Sequence, residues 1–367
     1  MRREISTTIN NFHSYTHTRH FTCNNPTQTA MDRSEEDMKS LGFFGIFKQS
    51  FKTIFSWKKI FAQITLTLIL PLTIVFLAHM EISHHLFLNI GTNSYLQVDP
   101  DYDDGRRTSA TDWLYYALFK IAYFIFFIAF SLLSTAAVVF TIASIYTDRE
   151  IIFRKVMKVV PKVWKRLFVT FASIIMTFFI YDVIGGIALA ISRSIFGNSI
   201  VGVILLLIIA IIYILGFLYL SVVWQLATVV TVLENISGFK AMKKGKDLAN
   251  GKKKVGMGIA FVLYGFLLGL IIVYELFVEY GGSFGLAWVW RVMLGILCGL
   301  LLLMLFLLFF VTQTVFYLVC KSHHREVIDK LSLSTFLEAY TGETVVYPTV
   351  GEEIQLGRPQ PQGPQQV

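Results

Sequence analysis

Long apolar stretches, broken by short basic or acidic segments, set the pattern of this chain. Six runs stand out, at about 60–80, 115–146, 167–192, 199–230, 255–277 and 292–319. Each reaches the roughly 20 helical residues that a bilayer core requires. Each is predicted to be helical, because a lone strand leaves its backbone polar groups unsatisfied in hydrocarbon. The pattern predicts an all-α membrane protein with six transmembrane helices. The first run begins too far from Met1 to be a cleaved signal peptide and reads as a signal anchor.

Composition agrees. Of 367 residues, 55% are hydrophobic and 15% charged, whereas a soluble domain carries about 25% charge. Mean hydropathy is +0.61.

Charge placement adds an orientation. Residues 1–59 hold nine Lys and Arg, the 147–166 loop seven, the 231–254 loop seven and the C-terminal tail four; the intervening loops together hold four. By the positive-inside rule both termini are expected in the cytoplasm. The acidic 81–113 segment, with Glu81, Asp99, Asp101, Asp103, Asp104 and Asp112, fits the opposite face. The sequon Asn235-Ile236-Ser237 then lies inside and is expected to stay unmodified. An endomembrane or plasma membrane is expected ahead of an organelle inner membrane.

Three basic segments resemble one another: FKQSFKTIFSWKKIF (47–61), FRKVMKVVPKVWKRLF (153–168) and FKAMKKGKDLANGKKKV (239–255). Each precedes an odd-numbered span. In the first copy Phe47, Phe51, Ile54 and Phe55 recur at helical spacing, with Lys48, Lys52 and Lys59 on another face. That is the pattern of a helix lying in the headgroup layer. The chain is therefore predicted to hold three hairpin repeats, each preceded by a cytoplasmic interfacial amphipathic helix. Trp57, Lys58 and Lys59, Trp164, Lys165 and Arg166, and Lys240, Lys243, Lys244, Lys246, Lys252, Lys253 and Lys254 are the candidate contacts for anionic lipid headgroups or protein partners at the cytoplasmic face. Fixing the topology is the plainer role for the same charges.

Other chemistry is sparse. GKDLANGKK lacks the glycine spacing, the Ser or Thr and the preceding strand of a P-loop. No nucleic acid partner is expected, since the basic stretches abut spans and carry no RNA-binding signature. His79, Glu81, His84 and His85 do not have a zincin spacing, and His323 and His324 stand alone, so no metal or other cofactor is expected. No nucleophile–base constellation can be assembled. Asp182 lies deep in span three, where a charge costs at least about 2.5–3.5 kcal/mol. Lys120 enters span two from the other side, and an Asp182–Lys120 intramembrane ion pair is expected. The functional alternative is that Asp182 lines a polar cavity.

Cys23, Cys298 and Cys320 suggest no disulfide framework. Cys320, at the mouth of span six, is the thiol placed for palmitoylation, with an inert thiol as the plainer alternative. Pro71 is expected to kink span one. Gly265-x-x-x-Gly269 and Gly295-x-x-x-Gly299 would permit close helix approach, and Gly185 and Gly186 would break span three. Residues 1–38 read as a disordered extension, 39–320 as the six-span domain, 321–340 as a cytoplasmic amphipathic helix and 341–367 as a disordered tail. Met31 precedes the first patterned sequence, so Met1 and Met31 are alternative starts.

The segments SWKKIFAQITLTLILPLTIVFLAHMEIS, VVTVLENISGFKAMKKGKDLANGKK and HHREVIDK resemble, in that order, a family of plant multipass membrane proteins of unknown function, across Met31 to Tyr340. More distantly, the VLEN-x-SG and GK pattern resembles bacterial proteins grouped with the membrane domain of glycerophosphodiester phosphodiesterases. The catalytic barrel of those enzymes has no counterpart here. The resemblance implies a membrane fold without enzyme activity and transfers no site residues. The expected function is a non-enzymatic membrane scaffold that interacts with lipids or partners. The competing expectation is a small-solute transporter or channel with its polar site around Asp182.

Overall fold

The computed structural model describes residues 40–96, 110–147, 153–197, 199–234 and 236–324. The N-terminal extension, Cys23, the loop acids Asp99 to Asp104, Asn235, the 321–340 helix past 324 and the tail lie outside the described residues. The described residues are helical apart from short connections, with no strand among them.

Helix α1 (Phe43–Ser56) ends at Trp57, whose φ of −113° and ψ of 35° interrupt the spiral before α2 (Lys58–Ile64). A π-helical turn (Thr65–Ile69) leads into α3 (Leu70–Leu96). That wide turn lies directly before Pro71, which has no N–H to give the carbonyl of Thr67. Helix α4 (Ala110–Tyr146) follows, then α5 (Phe153–Phe196) and α6 (Ile200–Leu233). A short helix α7 (Phe239–Ala249) precedes α8 (Lys253–Tyr274), which runs into a second π-turn (Glu275–Glu279) and a 3-10 turn (Tyr280–Gly282). Helix α9 (Trp288–His323) closes the described fold.

Six helical segments are long and apolar enough to cross a membrane: Lys58–Leu86, Trp113–Tyr146, Phe153–Ile195, Ile200–Leu233, Lys253–Gly282 and Trp288–His323. They are spans one to six below, and they coincide with the six apolar runs.

The three basic segments differ in geometry. The first and third form separate helices, α1 and α7. The second does not: it is the opening of the 44-residue α5, which continues unbroken past Pro161 into span three. Val156, Val159, Val160, Val163 and Leu167 recur at helical spacing and are all buried, so one packed stripe carries the helix straight through. An interfacial helix ahead of span three is therefore not present. Gly185 and Gly186 do not break α5 either.

Of the four glycines expected to allow close approach, Gly299 alone is tightly packed. A Cβ at Gly265 or Gly269 would meet nothing within 4 Å, and one at Gly295 would make only ordinary contact. Gly299 is tighter, with Leu77 Cδ1 at 3.2 Å. Gly245 matters most: a Cβ there would lie 3.0 Å from both Ala227 N and Val223 O. Only a bare Cα lets α7 seat this closely on the backbone of α6.

Burial divides the bundle into two halves. In span four every residue from Ser221 to Leu233 is buried except Trp224, whereas Gly202 is the sole buried residue before Leu218. Span three is packed from Val156 to Ile174 and span two from Ile128 onward. In span six burial becomes dense from Leu302 towards His323. In each case the packed half is the one next to the basic segments. The distal halves expose large side chains such as Ile208, Ile211, Ile184 and Leu300.

Candidate functional site

Three groups of side chains stand out, one at each level of the bundle. At the basic end, Glu234 ends α6 with an extended backbone. Its Oε1 accepts from Tyr317 Oη at 2.8 Å and Lys321 Nζ at 3.0 Å, and Lys244 Nζ lies 3.2 Å from Oε2. Burial pushes this carboxyl up, but the Lys321 ammonium, the two hydrogen bonds and Lys244 together hold it below the ordinary value. The charges are compensated and hydrogen-bonded, as burial demands. The knot joins α6, α7 and α9 at the point where the chain leaves the bundle. Alongside it, Gly238 N donates to Thr170 Oγ1 at 2.8 Å, and Thr170 Oγ1 lies 2.9 Å from Thr231 Oγ1. The turn before α7 is thus tied to span three. His324 Nε2 approaches the carbonyl of Asn250 at 2.8 Å.

This knot sorts the lysines that the sequence grouped together. Helix α7 buries Ala241, Met242, Gly245, Leu248 and Ala249 against the bundle. Lys240, Lys243 and Lys246 stay exposed, as do Lys253 and Lys254, while Lys244 is spent on Glu234. Lys252 donates to the carbonyl of Leu41 at 3.2 Å, fastening α8 to the start of α1. Trp57, Lys58, Lys59, Trp164 and Lys165 are exposed around the same end, and Arg166 is half-buried. Cys320 is fully buried where α9 packs against α1 and α7, so it does not present a thiol for acylation. Neither Glu234 nor Tyr317 had been singled out from the sequence. The visible signal was an acid placed where an apolar run stops.

At mid-depth, where dense packing gives way, lies a cavity of about 150 Å³. All six spans line it, through Leu72, Phe127, Ser131, Phe171, Trp224, Leu263, Tyr264, Leu267, Leu305, Phe306, Phe309 and Phe310. Aromatic rings dominate its wall. No charged side chain lines it.

In the distal half, Asp182 and Lys120 do not pair. Asp182 Oδ1 accepts from Tyr213 Oη at 2.7 Å on the exposed face of spans three and four. Tyr181 Oη donates to the carbonyl of Tyr213 at 2.6 Å, and the two rings stack at 5.0 Å. Lys120 Nζ instead faces span one, 2.8 Å from His79 Nε2 and donating to Ser83 Oγ at 2.8 Å. Depth along a span leaves the rotation of each helix open. Span three turns Asp182 towards span four, and span two turns Lys120 towards span one. Further out, Tyr274 Oη donates to Glu81 Oε2 at 3.2 Å and His84 Nδ1 lies 3.4 Å from Glu279 Oε2, joining spans one and five. Arg291 donates to the carbonyl of Val278, within the second π-turn. Among the described residues, no three His, Cys, Asp or Glu side chains are grouped to hold a metal.

No curated protein and no solved structure matches the chain. No named relative supports a plant origin or kinship with the phosphodiesterase membrane domains. One family model does match, over residues 31–358, and by it the chain belongs to the family described as a domain of unknown function, DUF8558.

Proposed function

We propose that this protein is a non-enzymatic, lipid-interacting membrane protein that holds a lipid chain in its central cavity. The carrying observation is the cavity itself: it is apolar, free of charged groups, and walled by all six spans. An apolar cavity of about 150 Å³ accepts an apolar guest the size of benzene, or a few methylenes of an acyl chain. Immediately beyond it the spans loosen, giving the rest of a chain a place to lie between them.

The finer topology belongs to the same proposal. The basic end faces the cytoplasm of an endomembrane or plasma membrane, with both termini inside. Three hairpins follow the three basic segments. Lys240, Lys243 and Lys246 touch anionic headgroups, each contributing about 1 kcal/mol, and the same face receives any protein partner. The distant likeness to the phosphodiesterase membrane domains is consistent with a lipid environment and adds no catalytic group. Asp182 gives the transporter reading no support, because it is exposed, bonded to Tyr213 and absent from the cavity wall.

The test is lipid retention by the purified full chain in mild detergent, read by mass spectrometry. Leu267→Trp fills the cavity and is expected to strip the retained lipid. Lys240→Gln, Lys243→Gln and Lys246→Gln together are expected to lower anionic lipid only, and they spare Lys244 and its knot. Retention unchanged by Leu267→Trp would remove the cavity from the account.

A further inference from the structure

Spans one and five both line the cavity, through Leu72 on one and Leu263, Tyr264 and Leu267 on the other, yet their backbones hardly meet. Two side-chain bridges near their distal ends join them, Tyr274 to Glu81 and His84 to Glu279. At 1.5 Å per helical residue, His84 and Glu279 stand about 18 Å beyond the wall residues Leu72 and Leu267. The distal seam between these two spans is therefore closed by long polar side chains and not by close packing of the helices.

Glu279 is the unusual member. Its side chain is 5% exposed, and its Oε1 is buried without a partner, the only carboxylate oxygen so placed among the described residues. Its Oε2 lies 3.4 Å from His84 Nδ1. Glu279 ends the π-turn Glu275–Glu279, and Arg291 on span six braces that turn. The guanidinium bonds the carbonyls of Val278 and Glu279, not the carboxylate. The other groups facing the pair are Glu81, which lies 3.3 Å from His85 on span one, and Glu275 and Tyr274 on span five. The ring of Tyr280 stands 5.1 Å from that of His84. Buried among other acids, Glu279 keeps its charge only beside a protonated His84, and the neutral alternative puts the proton on the carboxyl itself. In either form the closed pair holds one proton.

We infer that His84 and Glu279 form a proton-operated latch on the seam between spans one and five, closed while the pair holds one proton and released when that proton leaves. Without it, a buried carboxylate is left beside Glu81 and Glu275 with no cation, and the bridge parts. A glutamate and a histidine kept apart hold about one proton between them near pH 5.5 and almost none at pH 8. Closing the latch therefore needs no proton uptake in mild acid and needs one proton at pH 8. The closed population falls as pH rises, by up to tenfold per pH unit. The inference rests on the lipid reading of the cavity for one point, the identity of what passes. With the latch released, the seam admits a lipid chain to the cavity between Leu72 and Leu267.

The experiment places nitroxide labels on Ile82→Cys and Phe277→Cys, two exposed positions beside the latch, in the full chain with Cys23→Ser; Cys298 and Cys320 are buried. Electron paramagnetic resonance then reads the width of the seam from pH 5.5 to pH 8. The otherwise unsubstituted chain is expected to show one short distance in acid and a longer one that dominates by pH 8. Glu279→Gln gives His84 an uncharged partner at every pH and should stay closed throughout. His84→Gln leaves the carboxyl alone to hold the proton and should open the seam about two pH units lower. A width that does not change with pH, or that changes equally in Glu279→Gln, overturns the latch and leaves the cavity reading intact. Release of retained lipid should quicken over the same pH range, by up to tenfold per unit; release at one rate while the seam widens overturns passage through it. Leu267→Trp separates the two readings, since it should lose the lipid and keep the pH-dependent width. Lipid retained by Leu267→Trp as in wild type overturns the cavity reading, and the passage with it.

Discussion

The two halves of span four are built from almost the same residues and behave differently. From Ile200 to Leu215 the helix is Val, Ile and Leu with few interruptions, and Gly202 alone is buried. From Ser221 to Leu233 it is again mostly Val, Leu and Ala, mixed with Ser, Gln and Thr, and nearly all of it is buried. Hydrophobicity does not separate them, because lipid is as apolar as a protein interior. Backbone-to-backbone approach and buried polar pairing do. The packed half has Gly245 seated on the backbone of α6, the Thr170–Thr231–Gly238 bonds and the Glu234 knot. The distal half of span four has a tyrosine clasp on its surface.

The contrast can be broken most forcefully at Glu234. Glu234→Ala removes the carboxylate that Lys244, Lys321 and Tyr317 share, and should cost about 3 kcal/mol in an unfolding titration from mixed micelles. Gly245→Leu should follow at about 2 kcal/mol, because its Cβ would press on backbone that cannot move aside. Acid gives a milder version of the first change. The Glu234 carboxyl titrates below its ordinary value of 4.5 when folded, so its stabilisation is complete above that pH and declines as pH falls through the folded value. An acid titration of stability should show this loss in wild type, and Glu234→Gln should lack that component. Smallest of all is Tyr213→Phe in the distal half, expected near 0.6 kcal/mol, the usual worth of a hydrogen bond between membrane helices. A larger loss there would mean that the distal half carries more of the fold than its burial suggests.

How much of this was legible differs by level. The six spans were, because an apolar run long enough to cross a bilayer has few other readings. The interfacial helix ahead of span three was not present, since periodic valines on one face let α5 continue past Pro161. The Asp182–Lys120 pair failed for a more general reason. A helix surrounded by lipid on one side and protein on the other is apolar on both, so its sequence does not say which face turns inward. Lys120 therefore found His79 and Ser83 on span one. The Glu234 knot joins residues 83 and 87 positions apart, a distance that no local pattern spans. The cavity is walled by all six spans and could be seen only once these were assembled.

The division into a packed and a loose half is tested most directly by one substitution made twice in one helix. Leu226 is fully buried in the packed half of span four, and Leu207 is 59% exposed in its distal half. Unfolding titrations of Leu226→Ala and Leu207→Ala hold residue type, helix and solvent constant. Leu226→Ala is expected to cost about 2–4 kcal/mol through lost packing and the space left behind, and Leu207→Ala to stay within about 0.5 kcal/mol of wild type. Equal costs at the two positions would contradict the division.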